Sequence, residues 1–374
     1  MRNIRKLGAW LMLLALACIT GILHGEPRKD PEAERIAALV QQLGDKKFAR
    51  RIDAGKELRA IGEKALPAVR DAEKSADLEV GTRARNVGRT IMRDAGKSKS
   101  TGMELVLVDD DSFVMGSARF ERSRRPDETQ HRVRITRPFL IGKYEVTQEE
   151  FEKLMKFNPS SFSEKGADRQ KVLGTKTARF PVERVSWFDA IEFCNRLSKL
   201  DGYEPYYKIT DTNYFGDSIS SGKVTIAGGN GYRLPTEAEW EFACRAWTEG
   251  AYHFGFENSG RDANTKPGPA YGYGGGPNWK ALDRTAEVGS YPSNARGILD
   301  MHGNVGEWCW DWYDKDYYNT SPADDPQGAA TGNHRVNRGG SWIVAEGSCR
   351  SASRLFNTPM EQNNYTGFRV ARSP

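Results

Sequence analysis

The sequence predicts an α+β protein: a small all-α segment of helical hairpins over residues 30–96, then one large α+β domain over residues 103–374 with little regular secondary structure. Three observations predict it. Between residues 31 and 92, apolar side chains recur at helical spacing in four short runs. Beyond residue 103, short apolar strands alternate with three Ser/Thr-headed helix starts. The chain also carries 38 Gly with 9 Trp, 14 Tyr and 16 Phe. That composition builds a core from large aromatic side chains joined by turns.

The N-terminal 25 residues read as an export signal or a short membrane anchor. Arg2, Arg5 and Lys6 precede an apolar run over residues 7–23. Cleavage after Gly25 and retention as an anchor both remain open, and residues 14–18 loosely match a lipoprotein box at Cys18. Export permits disulfides. Cys194, Cys244, Cys309 and Cys349 can form two bridges or stay as four buried thiols. The net charge of +5 arises from 55 basic and 50 acidic residues spread along the chain. No basic stripe interleaved with aromatics appears, which argues against a nucleic-acid partner.

Asp30-Pro31 supplies a cap and a first-turn proline for a helix carrying Ile36, Leu39, Val40 and Leu43. A second helix carries Phe48, Ile52, Leu58 and Ile61 and stops at Gly62. A third holds Leu66 and Val69. A fourth, capped near Asp77, turns Val80, Ala84, Val87 and Met92 inward. The pattern is similar to HEAT-type repeats, whose use is protein docking, although a plain spacer fits the same residues. Residues 97–102 (KSKSTG) read as a polar linker.

In the large domain, residues 103–108 and 112–116 read as strands on either side of an acidic turn. Residues 132–141 alternate until Pro138 ends or edges the strand. Thr147 with Glu150, Ser186 with Asp189 and Thr236 with Glu239 each open a helix, and residues 250–292 read as irregular.

Five stretches then resemble, in order, the signature of the formylglycine-generating enzyme (sulfatase-modifying factor) family. They are SFVMGS (112–117), YEVTQEEF (144–151), GYRLPTEAEWEFACR (231–245), DMHGNVGEW (300–308), and RGGSW (338–342) with GFRVA (367–371). The resemblance implies a C-type-lectin-like fold. It also implies calcium at the fourth stretch, held by Asp300 and Glu307 side chains and by Gly303 and Val305 carbonyls. Hard oxygen donors around a Gly/Asn turn suit that ion. A turn held by its own hydrogen bonds is the alternative reading. A second family calcium site would begin at Asn264 and Thr265. The five His show no zinc-like spacing.

Active members of the family oxidise a substrate cysteine with O2 at copper held by two cysteines shortly after the GGS turn. Soft thiolates suit Cu(I). Counted from that turn, the first position here holds Val344 and the second Cys349. The segment is shorter than in active members, and counted back from Ser351-Ala-Ser-Arg354 it moves Cys349 off the ligand position. Copper oxidase chemistry is therefore not expected. Cys349 and Ser341 stand as the candidate catalytic residues, but Ser341 has no nucleophile-elbow context. The aromatic run from Trp308 to Tyr318 fits either a groove wall or core packing.

These observations point to an exported, calcium-stabilised binding or accessory module. It would recognise a peptide, glycan or protein partner through its irregular face and would dock through its helical segment. A formylglycine-generating oxidase, or another metal-dependent oxidation, is the alternative.

Overall fold

The computed structural model describes residues 30–258, 260–267 and 280–374. The expected export segment lies outside these residues. Among them, no helix is long and apolar enough to cross a membrane.

The helical segment consists of α1 (Pro31–Gln42), α2 (Phe48–Ile61), α3 (Leu66–Ala72) and α4 (Leu78–Asp94). Asp30 caps α1 through Glu32 N, and Asp77 caps α4 through Glu79 N and Val80 N. Each such cap is worth about 1 kcal/mol. Gly62 ends α2 at φ +76°, a left-handed angle that glycine adopts without strain. Ile36, Leu39, Leu58, Val69, Ala84 and Met92 form the core of this segment. Phe48 and Ile52, expected to face inward, are 68% and 42% exposed. The reason is that α2 buries only Ala54 and Leu58, so its first turns stand outside the packed face.

The segment is not a freely jointed appendage. Glu63 accepts hydrogen bonds from Tyr203 Oη at 2.8 Å and from Arg372. Leu107 packs against the helical core, and Arg89 pairs with Asp109 at 3.0 Å. The expected linker is a tight turn: Ser98 N donates to the Met103 carbonyl, and Gly102 N to the Ser98 carbonyl. Ser100 N also donates to Asp201 at 2.8 Å. Polar residues look like a spacer in sequence, yet here their hydroxyl and amide groups close a turn against Asp201.

The large domain runs β1 (Leu105–Val108), β2 (Asp111–Met115), β3 (His131–Ile135), β4 (Phe139–Gly142), α5 (Gln148–Met155), α6 (Trp187–Asp201), β5 (Tyr207–Phe215), β6 (Ser218–Ile226), β7 (Tyr232–Arg233), α7 (Glu237–Arg245), β8 (Gly306–Trp312), β9 (Arg335–Arg338), β10 (Leu355–Asn357), β11 (Thr366–Gly367) and β12 (Ala371–Arg372). The three predicted capping boxes open α5, α6 and α7, and both reciprocal bonds are present in each. The alternating stretch read as one strand is two, split at Pro138. β3 forms a ribbon with β2, and β4 lies inside the sheet β1-β4-β12-β7. A second sheet runs β10-β9-β8-β11, and the β5–β6 hairpin pairs with itself. Two aromatic cores follow. One gathers Phe151, Trp187, Phe193, Trp308 and Phe368 around α5 and α6. The other joins Trp240 and Phe242 of α7 to Val133, Phe139 and Val336.

Candidate functional site

α7 ends without a glycine. Ala246 and Trp247 follow it at φ +44° and +73°, a conformation that costs non-glycine residues and concentrates at functional sites. The turn delivers Trp247 to the lip of a groove of about 1270 Å³, with its indole 65% exposed. The Arg296 guanidinium lies 4.0 Å from the indole centroid and 4.7 Å from that of Phe242. Burial lowers the pKa of Arg296, and its Nε has no hydrogen-bond partner, so the rings hold it. Phe120 and Phe256, 90% and 78% exposed, complete an aromatic rim. Exposed aromatics clustered around one concavity mark a binding surface.

The walls of the groove are rigid. Arg245 donates from Nε to Glu241 at 2.8 Å and from Nη2 to the Gly116 carbonyl at 2.7 Å, tying α7 to the end of β2. Arg350 donates to Glu128 at 2.9 and 2.7 Å and to Glu121 at 2.5 Å, fixing the opposite wall. Sequence reading missed Trp247, Phe256 and Phe120. The preceding helix signal was visible, but the exposure of the rings was not.

The GGS turn lies behind this wall. Gly339 and Gly340 adopt φ +87° and +70°. A Cβ on Gly340 would meet Cys349 Sγ at 2.4 Å, so close packing there demands glycine. Ser341 is buried, and its Oγ has neither a hydrogen-bond partner nor a base beside it. That removes it as an activated nucleophile. Burial pushes the Cys349 thiol up to about 12, and its sulfur faces the carbonyls of Ala345 and Ser341 at 3.8 and 4.0 Å.

The imidazole of His302 separates Cys349 from Cys244. His302 Nδ1 lies 2.7 Å from the Cys349 carbonyl, and Nε2 accepts from His253 N at 3.2 Å and sits 3.6 Å from Cys244 Sγ. This places the ring proton on Nδ1. Burial lowers the pKa of His302 to about 3 and raises that of Cys244 to about 12, so both are neutral. All four described thiols are buried and unpaired. Cys194 belongs to the first core, Cys244 and Cys309 to the second, and Cys349 to a small cluster with Ala251 and Tyr252. A bridge between Cys309 and Cys349, or one between Cys194 and Cys244, would have to join separate clusters. With Val344 aliphatic and no second sulfur in the Cys349 cluster, these residues do not fit a two-thiolate copper site.

The stretch from Asp300 to Glu307 enters β8 rather than remaining a turn. Glu307 receives Arg369 at 2.6 Å on each oxygen and Trp240 Nε1 at 2.7 Å. Its carboxylate is committed to the core and does not fit the ligand role that the resemblance implies. Asp300, at φ +58°, accepts from Gly289 N at 2.6 Å through Oδ2, while Oδ1 is buried without a partner. Burial raises the pKa of Asp300 to about 6. Glu145, also buried, takes Asn304 Nδ2 at 2.6 Å and Val305 N at 3.0 Å. Burial and the nearby Asp300 and Glu307 charges raise its pKa. Gly303 must be glycine, because a Cβ would lie 2.2 Å from the Asn264 carbonyl. Asn264 donates to the Arg284 carbonyl and to Asn304 Oδ1, and Thr265 Oγ1 accepts from Asn258. Asn264 therefore braces the 303–304 turn, and its carbonyl also accepts from Asn304 N at 2.8 Å, while Thr265 is tied to Asn258.

The aromatic run is mostly packing. Trp308 is fully buried and donates to the Val185 carbonyl at 3.0 Å. Arg335 stacks on Trp187 at 3.8 Å and on Trp312 at 3.5 Å. None of residues 308–318 lines the groove.

Fold and site together define a loop-rich α+β domain with an aromatic-rimmed groove beside a GGS turn. Residues 92–374 match the sulfatase-modifying factor enzyme 1-like domain, and the chain belongs to that family. The match begins inside α4, upstream of the expected boundary at residue 103. The chain is 33% identical to chaperone protein LppX of Paenibacillus barcinonensis, covering 75% of this chain and 95% of that protein. It is 32% identical to the formylglycine-generating enzyme of Thermomonospora curvata, over 72% and 93%. It spans about half of the serine/threonine-protein kinase pkn1 of Chlamydia caviae, at 28% identity over 98% of this chain and 56% of that one. Among solved structures, Treponema denticola variable protein 1 superposes with a TM-score of 0.59 at 29% identity, over 74% of this chain and 98% of that one.

Proposed function

We propose that this chain is a non-oxidase binding module that takes a polypeptide segment of a partner protein into the groove rimmed by Trp247, Phe120 and Phe256. The observation that carries this reading is the pairing of an open aromatic groove with a buried, neutral, solitary thiol at Cys349. The relative named as a chaperone, which matches along almost its whole length, supports a role in handling polypeptides. The T. curvata relative supports the oxidase alternative, which needs a second sulfur that position 344 does not supply. The N-terminal basic and apolar residues support export, by a cleaved signal or an anchor.

Calcium belongs to this reading in a narrower form than the resemblance implies. Asp300 Oδ1 is a buried oxygen left without a partner, and Asp300, Glu145 and Glu307 all face the Arg369 guanidinium. A calcium ion held by Asp300 and the Gly303 and Val305 carbonyls would relieve that charge excess. Glu307 would then act only by orienting Arg369.

The decisive experiment incubates the purified chain with Cu(I), O2 and a Cys-x-Pro-x-Arg peptide. Unchanged peptide mass and no trapped aldehyde are expected, and formylglycine formation would return the oxidase to first place. Calcium is read separately by calorimetric titration of wild type and Asp300→Asn. Binding by the wild type alone is expected, and equal behaviour of the two proteins would remove the ion.

A further inference from the structure

β2 offers an unpaired strand edge to the groove. In its ribbon with β3, Ser112 stands opposite Arg134 and Val114 opposite Arg132. Arg134 turns its own backbone away from β2: its N–H donates to the Ala323 carbonyl at 2.7 Å, and its carbonyl accepts from Asp325 N at 3.0 Å. Ser112–Arg134 is therefore a non-hydrogen-bonded pair, and by the two-residue period so is Val114–Arg132. The backbone groups of Ser112 and Val114 thus point away from β3. No described strand pairs with that side of β2. Ser112 N–H is taken by Asp111 Oδ1 at 2.7 Å. The Ser112 carbonyl and both backbone groups of Val114 have no backbone partner among the described residues. Asp111, Ser112, Phe113 and Val114 all line the groove.

We propose that the groove binds its peptide by strand addition, with one residue of an extended segment exchanging both backbone hydrogen bonds with Val114. This rests on the groove reading above and names its recognition mode. An open strand edge is a template for another chain, and main-chain bonds in this mode supply affinity while alternate side chains supply selectivity. The residues flanking the one opposite Val114 project to the face of Phe113, whose ring lies 5.1 Å from that of Phe242. Arg296 spans Phe242 and Trp247, so that face continues to the exposed indole. The fitting ligand is therefore a linear segment with apolar or aromatic side chains on both sides of the central residue.

The probe is a phage-displayed library of linear peptides panned on the full chain, with one selected peptide synthesised for calorimetry. Three readouts follow. The first is a single-position N-methyl scan of the peptide backbone against unaltered protein. The second is Val114→Pro, which removes an N–H that β3 does not use and is tolerated on an edge strand. The third is Trp247→Ala. Strand addition predicts at least a tenfold loss at one N-methyl position, a similar loss in Val114→Pro, and slowed amide exchange at Val114 on binding. A flat N-methyl scan with affinity still lost in Trp247→Ala overturns strand addition and leaves the groove reading intact. No selected peptide, or binding indifferent to Trp247→Ala, overturns both.

Discussion

Glu307 and Arg369 meet in a two-point ion pair, 2.6 Å at each contact, with neither side chain exposed. Arg369 also donates to the carbonyls of Gly142 and Leu299, so one guanidinium joins β4, β8 and the loop leading to Asp300. Removing one partner of a buried pair leaves the other uncompensated. Arg369→Met is expected to destabilise the domain by about 3–5 kcal/mol, read from the urea unfolding midpoint. The loss should be smaller in the double variant Arg369→Met/Glu307→Gln, because the stranded charge is gone.

Glu183 gives the fold a pH dependence. Burial raises its pKa to about 8, Phe162 N donates to one oxygen, and the other has no partner. Arg184 opposes the shift and Asp168 adds to it. The native state holds this proton more tightly than the unfolded chain, so stability falls as pH rises from the unfolded carboxyl value toward 8. Glu183→Gln should flatten that slope. Unfolding free energies at pH 5 and pH 8.5 test it: equal slopes in both proteins would refute the assignment.

Glu63 joins the helical segment to the large domain through Tyr203 and the buried Arg372. Glu63→Ala should strand the Arg372 guanidinium and cost about 3 kcal/mol. Limited proteolysis should then open the chain near residues 97–102 before the large domain is cut. Uniform cleavage across both parts would argue against this joint.

Trp247 makes its named contact with Arg296 and is otherwise exposed. Trp247→Ala removes the ring that Arg296 stacks on and should cost about 1 kcal/mol, the size of a cation–π contact, lowering the melting temperature by no more than ~3 °C. Peptide affinity should fall at least tenfold, as aromatic anchors dominate binding energy. A large drop in melting temperature would make Trp247 structural.

Local signals were legible in the sequence wherever one short stretch supplied both partners of an interaction. The capping boxes at Thr147, Ser186 and Thr236 are three-residue contacts, and all three form as read. The family was legible because its five motifs occur in order. Long-range commitments were not. Glu307 looked like a calcium ligand because its pairing with Arg369, 62 residues away in sequence, leaves no local mark. Trp308 to Trp312 looked like groove aromatics or core, and only their strand placement decided for packing. The β5–β6 hairpin passed unread, since its polar, weakly patterned strands pair only with each other.

The sequence by itself therefore determined the helices and their caps, the family, and the absence of a cysteine at position 344. Tertiary structure alone decided which carboxylates are already paired, which aromatics face solvent, and which strand keeps a free edge. The physical reason is that capping depends on neighbours within one turn, whereas burial and pairing depend on groups that only the folded chain brings together.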